Sequence, residues 1–314
     1  MTVVATRDEG IVWINGELVP ESQARVSIFD RGFVYGDAAF DSLRTYRHRP
    51  LLLELYLDRF LASLQYLRID PGVSRSDLEV IVESVLAANL SRITPDEDLQ
   101  VVLRCTRGGH YVDPTARPTL IVQTAIFRID TDKYDTGVDV ITSSLVRTPR
   151  QAVSPKPKTH DRLNNVLADL EVKSLHPGAR SLMLDMDGFV AEGSSYNIAA
   201  MVGGALVTPR DNCLEGRTMK VVIEIANRVG ISARYDQLSL YELYNTSEAF
   251  ITGTSNVMLP VRSVDGRLIN GAIPGPVQER IWKEWNEMVG FDVRQQARRY
   301  LSEVPPAEVL AGRA

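Results

Sequence analysis

The stretch Pro155-Lys156-Pro157-Lys158-Thr159-His160-Asp161-Arg162-Leu163-Asn164-Asn165-Val166-Leu167-Ala168 decides the reading of this chain. A proline pushes the residue before it out of the helical region, so Lys156 is extended ahead of Pro157. Lys158 then stands where extended chain gives way to helix. Leu163, Val166, Leu167 and Leu170 recur at i, i+3, i+4 and i+7, the apolar stripe of an amphipathic helix. Thr159 or Asp161 supplies its cap. A lysine at such a junction has a restrained backbone and a long free side chain, which Schiff-base chemistry requires. An ordinary solvated loop also contains lysines, and the segment alone does not separate Lys156 from Lys158.

Working outward, 314 residues are too many for one small core, so two domains are expected. A hydrophobic content of 44% and a charged content of 24% are those of an ordinary globular protein. A net charge of -5, with no basic run, argues against nucleic-acid binding. Cys105 and Cys213 lie far apart and form no CxxC, which suits a reducing compartment. None of the four histidines is spaced as a metal pair, so no metal site is expected. There is no Walker A or GxGxxG sequence. Residues 1–10 do not read as a signal peptide and no apolar run is long enough to span a bilayer, so the expected location is cytoplasmic.

Residues 11–14 and 17–19 read as strands joined at Asn15-Gly16, the strongest two-residue hairpin signal. Leu53, Tyr56, Leu57, Phe60, Leu61 and Leu64 are the buried stripe of a helix over 53–67, with Arg59 off that stripe. A second helix covers 75–90, and 99–106 and 119–127 are rich in β-formers. Polar residues 128–136 are read as an interdomain connector. The chain therefore divides into a smaller α/β domain over 1–127, that connector, and a larger cofactor-binding domain over 137–314. In the latter, strands 181–185 and 189–192 join at Asp187-Gly188, and 197–202 and 205–208 join at Gly203-Gly204. Helices are expected over 218–229, with Gly230 as C-terminal cap, and over 274–289. The tail from Arg294 is charged and receives no element.

Some residues outside the lysine segment also point to chemistry. Gly216-Arg217-Thr218 precedes a helix, and Thr252-Gly253-Thr254-Ser255 follows an apolar strand. Free backbone N–H groups at such places bind anions. Thr218 and Thr254 add hydroxyls and Arg59 a fork of donors, which together make a phosphate cradle. Singly, each residue is equally an N-cap, a turn residue or a solvated helix arginine. Glu192, before Gly193-Ser194-Ser195, marks a strand end.

Taken in order, these motifs resemble the class IV aminotransferases, the fold-type IV pyridoxal-phosphate enzymes. That group includes branched-chain, D-amino-acid and (R)-amine transaminases and aminodeoxychorismate lyases. The block Arg31-Gly32-Phe33-Val34-Tyr35-Gly36-Asp37-Ala38-Ala39-Phe40-Asp41 looks like the family's glycine-rich active-site strand, and Leu57-Asp58-Arg59-Phe60 like its phosphate-arginine helix. Lys158 with Leu163-Asn164-Asn165-Val166-Leu167-Ala168 looks like its Schiff-base segment. Glu192-Gly193-Ser194-Ser195-Tyr196-Asn197 resembles its pyridine-nitrogen motif, and the two turns after it resemble its phosphate turns.

The resemblance implies two α/β domains with pyridoxal 5'-phosphate between them, ping-pong transamination from an amino acid or amine to a 2-oxo acid, and a homodimer. It favours Lys158 over Lys156 as the Schiff-base lysine. It assigns Glu192 to the pyridine nitrogen and places Arg59, Arg162, Ser195, Asn197, Arg217, Thr218, Thr254 and Ser255 against the cofactor. Tyr35, Phe40 and Arg107 are then expected to meet substrate.

Departures from the family bear on substrate. Asp161 and Arg162 stand where many branched-chain enzymes have asparagine and tyrosine. Arg217 and Met219 replace the usual isoleucine and arginine of a phosphate turn. Gln100 and Val102 lie near the places of the branched-chain carboxylate-binding tyrosine and arginine. Thr106-Arg107-Gly108 and the 270–276 stretch resemble the D-amino-acid and (R)-amine branches. D-Amino acids or (R)-amines are therefore the slightly favoured donors, with a branched-chain enzyme or a lyase as alternatives. At least one of Arg104, Arg107 and Arg117 is expected to bind a substrate carboxylate.

Overall fold

Asn15 and Gly16 take φ of 48° and 103°, so both central residues of the first turn lie in the left-handed region that a tight hairpin needs. They join β1 (Ile11–Ile14) to β2 (Glu17–Pro20). This computed structural model describes residues 9–110, 116–126 and 131–303. The chain resolves into two units, one of residues 1–127 with Pro157–Asp161, the other of Arg128–Lys156 with Arg162–Ala314. Pro157–Asp161, expected in the larger domain, instead belongs to the first unit. Residues 128–130 of the expected connector lie outside the described residues, and Lys133–Thr136 forms the short helix α4.

The first unit continues with α1 (Arg31–Tyr35), β3 (Ala38–Tyr46), β4 (Arg49–Pro50), α2 (Leu53–Leu67), α3 (Arg75–Asn89), β5 (Leu99–Thr106) and β6 (Thr119–Ile126). Its six strands form one sheet in the order β2-β1-β6-β5-β3-β4. Alternation along the strands sends Ala39, Leu43, Val101, Leu103, Cys105, Leu120 and Val122 to one face. There they pack with Leu57, Phe60 and Leu64 of α2 and Leu78, Val82 and Val85 of α3 in a single core. Asp41 lies on this same face and is fully buried. The block expected as one active-site strand is thus a helical turn ended by left-handed Gly36, then a strand from Ala38.

The second unit contains β7 (Val138–Thr142), α5 (Leu163–Leu175), β8 (Arg180–Leu184), β9 (Val190–Gly193), β10 (Asn197–Val202), β11 (Ala205–Pro209), α6 (Arg217–Arg228), β12 (Ala233–Asp236), α7 (Leu240–Tyr244), β13 (Ala249–Gly253), β14 (Val257–Val264), β15 (Arg267–Leu268), α8 (Pro276–Val289) and α9 (Val293–Glu303). Its nine-stranded sheet runs β12-β11-β10-β13-β14-β7-β8-β9, with β15 on β14. Both expected hairpins are present, β8–β9 and β10–β11. Gly230, expected as a cap, follows α6 with φ of 78° and donates to the Asn227 carbonyl.

Three sequence expectations change. The helix after the lysine segment forms as α5, but its Leu163, Val166, Leu167 and Leu170 stripe is exposed in the single chain. Asn165, Ala168 and Val172 are buried instead in a helix that packs against β8, with Asn165 donating to the Ser194 carbonyl. Neither Thr159 nor Asp161 caps the helix; Arg162 holds the N-cap position and makes no side-chain capping bond. The charged tail, left without an element, is helical through α9, where Arg294 pairs with Glu279 of α8. No helix among the described residues is long and apolar enough to cross a membrane.

Candidate active site

In the first unit, the site is built on the N-terminal half of β3. Residues 158–160 lie antiparallel to it: the Phe40 N–H donates to the Lys158 carbonyl (2.9 Å), and the His160 N–H to the Ala38 carbonyl (2.9 Å). The Lys158 N–H donates to Ser63 Oγ at 3.0 Å, and Ser63 Oγ donates onward to the Arg59 carbonyl at 2.7 Å. Both backbone groups of Lys158 are therefore held, while its Nζ lies 4.5 Å from the centre of the Phe40 ring. The His160 ring packs against that ring from 5.3 Å. Lys156, two residues earlier, belongs to the second unit, is exposed and gives its Nζ to the Arg210 carbonyl at 2.7 Å.

Arg59 is not off the buried stripe as the sequence suggested. It is 5% exposed, between Tyr56 and Ser63 on the inner side of α2. Its Nε and Nη2 donate to Asp41 Oδ2 and Oδ1 at 2.8 and 2.6 Å, a bidentate pair closed off from water. A carboxylate on the core face of β3 needs a cation, and the helix over that face supplies one. The expected site residues Phe40, Lys158 and Arg59 are thus drawn together through β3, with Ser63 and Asp41 as partners that the sequence reading missed.

Two other expected substrate residues fare differently. Tyr35 is 64% exposed on α1. Arg107, expected to receive a substrate carboxylate, is held by other groups of its own unit. Its guanidinium is bidentate to Asp37 (2.6 and 3.0 Å) and donates to the carbonyls of Leu67 and Arg68 at the end of α2. A guanidinium has five N–H donors, and four of these bonds already close a helix end and a turn. Arg117 is exposed.

In the second unit, Glu192 is buried at the end of β9. Its Oε1 accepts from Arg147 Nε at 2.8 Å and its Oε2 from the Leu214 N–H at 3.0 Å. Arg147 was not singled out in the sequence; the signal for it is the carboxylate itself, which burial requires to be paired. Arg162 donates to the Ser194 carbonyl at 2.6 Å. Burial pushes its guanidinium below the ordinary arginine value, while the charge of Glu192 acts in the opposite sense. Ser195 is exposed in the turn after β9.

Asn197, the first residue of β10, donates to the Leu214 carbonyl. Its Oδ1 lies so close to Gly216 that a Cβ there would meet it at 1.9 Å, so only glycine fits. Gly216 is the N-cap of α6 and offers no side chain, leaving the first-turn N–H groups uncapped around buried Thr218. Arg217 Nε and Thr252 Oγ1 are buried without hydrogen-bond partners. Thr254 and Ser255 are half-buried in the turn from β13 to β14, which ends on Val257 at φ 59°. A branched residue there is strained, and such strain collects at ligand clamps. Uncapped amides, orphaned donors and a turn beside them fit an oxygen-rich anion such as a phosphate.

The sequence profile of the amino-transferase class IV family matches residues 38–264. A putative branched-chain-amino-acid aminotransferase of Methanocaldococcus jannaschii is 31% identical over 88% of this chain and 96% of its own. A D-alanine aminotransferase of Staphylococcus haemolyticus is 26% identical over 88% and 97%. The crystal structure of a T.th. branched-chain amino acid aminotransferase with pyridoxamine 5'-phosphate superimposes with a TM-score of 0.82 at 27% identity, covering 90% of this chain and 95% of that one. This chain therefore belongs to the class IV aminotransferases, the fold-type IV enzymes that work with pyridoxal 5'-phosphate.

Proposed function

We propose that this enzyme moves the amino group of an apolar, branched-chain type of amino acid to a 2-oxo acid by a ping-pong route through Lys158. The observation that carries the reading is the anchoring of Lys158: its backbone N–H and carbonyl are both tied down while its amine extends over Phe40. Bound pyridoxal phosphate supplies a ring that takes up the electrons of the substrate's Cα–H bond. Lys158 carries the cofactor and its Nζ moves the proton released at Cα. Glu192, oriented by Arg147 and the Leu214 N–H, has lone pairs left for the proton on the pyridine nitrogen. The uncapped start of α6, with Arg217 and Thr218, the turn at Thr254 and Ser255, and Arg59 are the groups for the phosphate. Asn197 and Gly216 shape that cradle, with Arg162 and Ser195 flanking Glu192.

The names of the relatives move the donor preference away from D-amino acids and (R)-amines, although a D-alanine aminotransferase is among them. The engagement of Arg107 with Asp37 supports the same shift, since the D-amino-acid reading leaned on that segment. A homodimer belongs to this proposal, supported by the exposed Leu163, Val166, Leu167 and Leu170 stripe on α5. Two unpaired buried cysteines suit a cytoplasmic place. The test is the isolated half-reaction: holoenzyme mixed with L-leucine, D-alanine or (R)-1-phenylethylamine, without acceptor, followed by cofactor absorbance. Bleaching of the long-wavelength band by L-leucine, reversed by a 2-oxo acid, is the expected result. A faster response to D-alanine or to the amine overturns the donor assignment. No response to any of them, with pyruvate released from aminodeoxychorismate, replaces the transaminase by a lyase.

A further inference from the structure

The backbone of Lys158 is gripped by two elements of the first unit. β3 contributes one side, through the Phe40 N–H and the Ala38 carbonyl, and α2 the other, through Ser63 Oγ. The turn that enters β3 lies against the same segment: a Cβ on left-handed Gly36 would stand 3.7 Å from the Asp161 nitrogen. The place of the lysine therefore depends on how the end of α2 sits relative to the start of β3.

Arg107 bonds to both of those places. Its backbone N–H donates to the Asp37 carbonyl at 3.1 Å, and its Nε and Nη2 donate to the Asp37 carboxylate at 2.6 and 3.0 Å. Asp37 immediately precedes Ala38, where β3 begins. Nη2 and Nη1 also donate to the Leu67 and Arg68 carbonyls at 2.6 and 3.0 Å, one turn along from Ser63. α2 has its own backbone closure, the N–H of left-handed Arg68 on the Gln65 and Leu64 carbonyls, so the guanidinium is not what ends the helix. Arg31 Nη2 of α1 reaches Asp37 Oδ2 at 3.0 Å and adds a second cation to the same carboxylate. A guanidinium is a rigid planar fork, and one that bonds two elements at once fixes the spacing between them.

We propose that Arg107 is a positioning residue for Lys158, acting through Asp37 on β3 and through the end of α2 on Ser63. The proposal rests on the reading that Lys158 carries the cofactor. It gives Arg107 a role in turnover without contact with the substrate. A loose junction between α2 and β3 lets the Lys158 backbone shift, and its amine then meets the substrate's Cα proton from the wrong place. Misplacement of a reacting group by about 1 Å can cost on the order of 100-fold in rate.

The test compares wild-type holoenzyme with Arg107→Met and Asp37→Asn, each with its cofactor content checked by absorbance. Hydrogen exchange of single amides, read by fragmentation mass spectrometry, follows the Lys158 and His160 N–H groups, with those of Val101 and Leu103 in β5 as the control. In Arg107→Met the first two are expected to exchange about 10-fold faster or more, the protection of roughly one hydrogen bond, while the β5 pair is unchanged. With L-leucine, kcat is expected to fall about 10- to 100-fold at nearly constant KM, the pattern of a group that does not bind the substrate. Asp37→Asn leaves Arg107 in place and removes its carboxylate. It is expected to move both readouts the same way by less, and it serves if the methionine variant does not fold. Unchanged exchange at Lys158 and His160 overturns the proposal, as does an unchanged kcat or an equal loss of protection in β5. A raised KM at unchanged kcat also overturns it and returns Arg107 to the substrate. If no donor reacts with the wild type but Lys158 exchange still depends on Arg107, the clamp stands and the transaminase reading is the one that fails.

Discussion

Replacing Asp41 with alanine tests the central electrostatic feature of the first unit. The change removes both oxygens that the Arg59 guanidinium contacts at 2.6 and 2.8 Å, in a place where Asp41 is 0% and Arg59 5% exposed. Water cannot replace the lost carboxylate without opening the contact between α2 and β3. Breaking a buried pair from one side costs about 3–5 kcal/mol, far above the ~1 kcal/mol ceiling typical of exposed pairs. With a urea dependence of roughly 3 kcal/mol per molar, the unfolding midpoint falls by about 1–1.7 M. The measurement is urea denaturation without added cofactor, so that ligand binding does not add to stability. The double variant Asp41→Leu with Arg59→Met, which removes both charges and keeps apolar volume, recovers most of the loss while cofactor affinity stays impaired. A loss below about 1 kcal/mol for Asp41→Ala, or a double variant no more stable than the single one, refutes the view that this pair is sealed and mutually dependent.

Other consequences are as direct. Gly216→Ala drives a Cβ into Asn197 Oδ1; overpacking of this kind costs about 1–3 kcal/mol, and the expected readout is cofactor affinity lowered roughly 5- to 150-fold in an equilibrium dialysis assay. Cys105 and Cys213 are buried, and burial is the first cause that pushes both thiols up to about 12; neither is expected to react with a thiol reagent at pH 8 until the protein is unfolded. Asp139 bonds to Arg262 and Ser263, and the Arg262 bond holds its carboxyl below the ordinary aspartate value. Its contribution to stability is therefore present above the unfolded value of 3.8 and lost as pH falls through the lower folded value, so the midpoint gap between wild type and Asp139→Asn closes on acidification below 3.8.

Local signals in the chain were enough for the elements and for the family. The Asn15-Gly16 turn, the α2 stripe and the order of the Lys158, Glu192 and Thr218 motifs depend on neighbours in sequence, and each element formed close to where it was read. Pairing across distance was not legible. Arg59 looked solvated because helix periodicity reports apolar positions only; its burial depends on Asp41, a residue of another element. Arg107 looked available until Asp37 and the end of α2 claimed its donors, and Arg147 had no local mark because its partner Glu192 lies 45 residues away. The apolar stripe of α5 was correctly seen as a stripe, but periodicity cannot say which face a helix buries; in the fold α5 packs against β8 with Asn165, Ala168 and Val172 buried.

The sequence by itself determined which residues are chemically equipped: a lysine at an extended-to-helical junction, a glutamate at a strand end, and glycine and threonine at a helix start. Only the tertiary structure decided which charges are spent on the fold and which remain for ligands. Hydrogen-bond donors are few and short-ranged, so an arginine's role follows from what stands within about 3 Å of it. By that measure Arg107 is engaged by Asp37 and the end of α2, whereas Arg104, on the face beside Phe40, keeps a buried donor unspent.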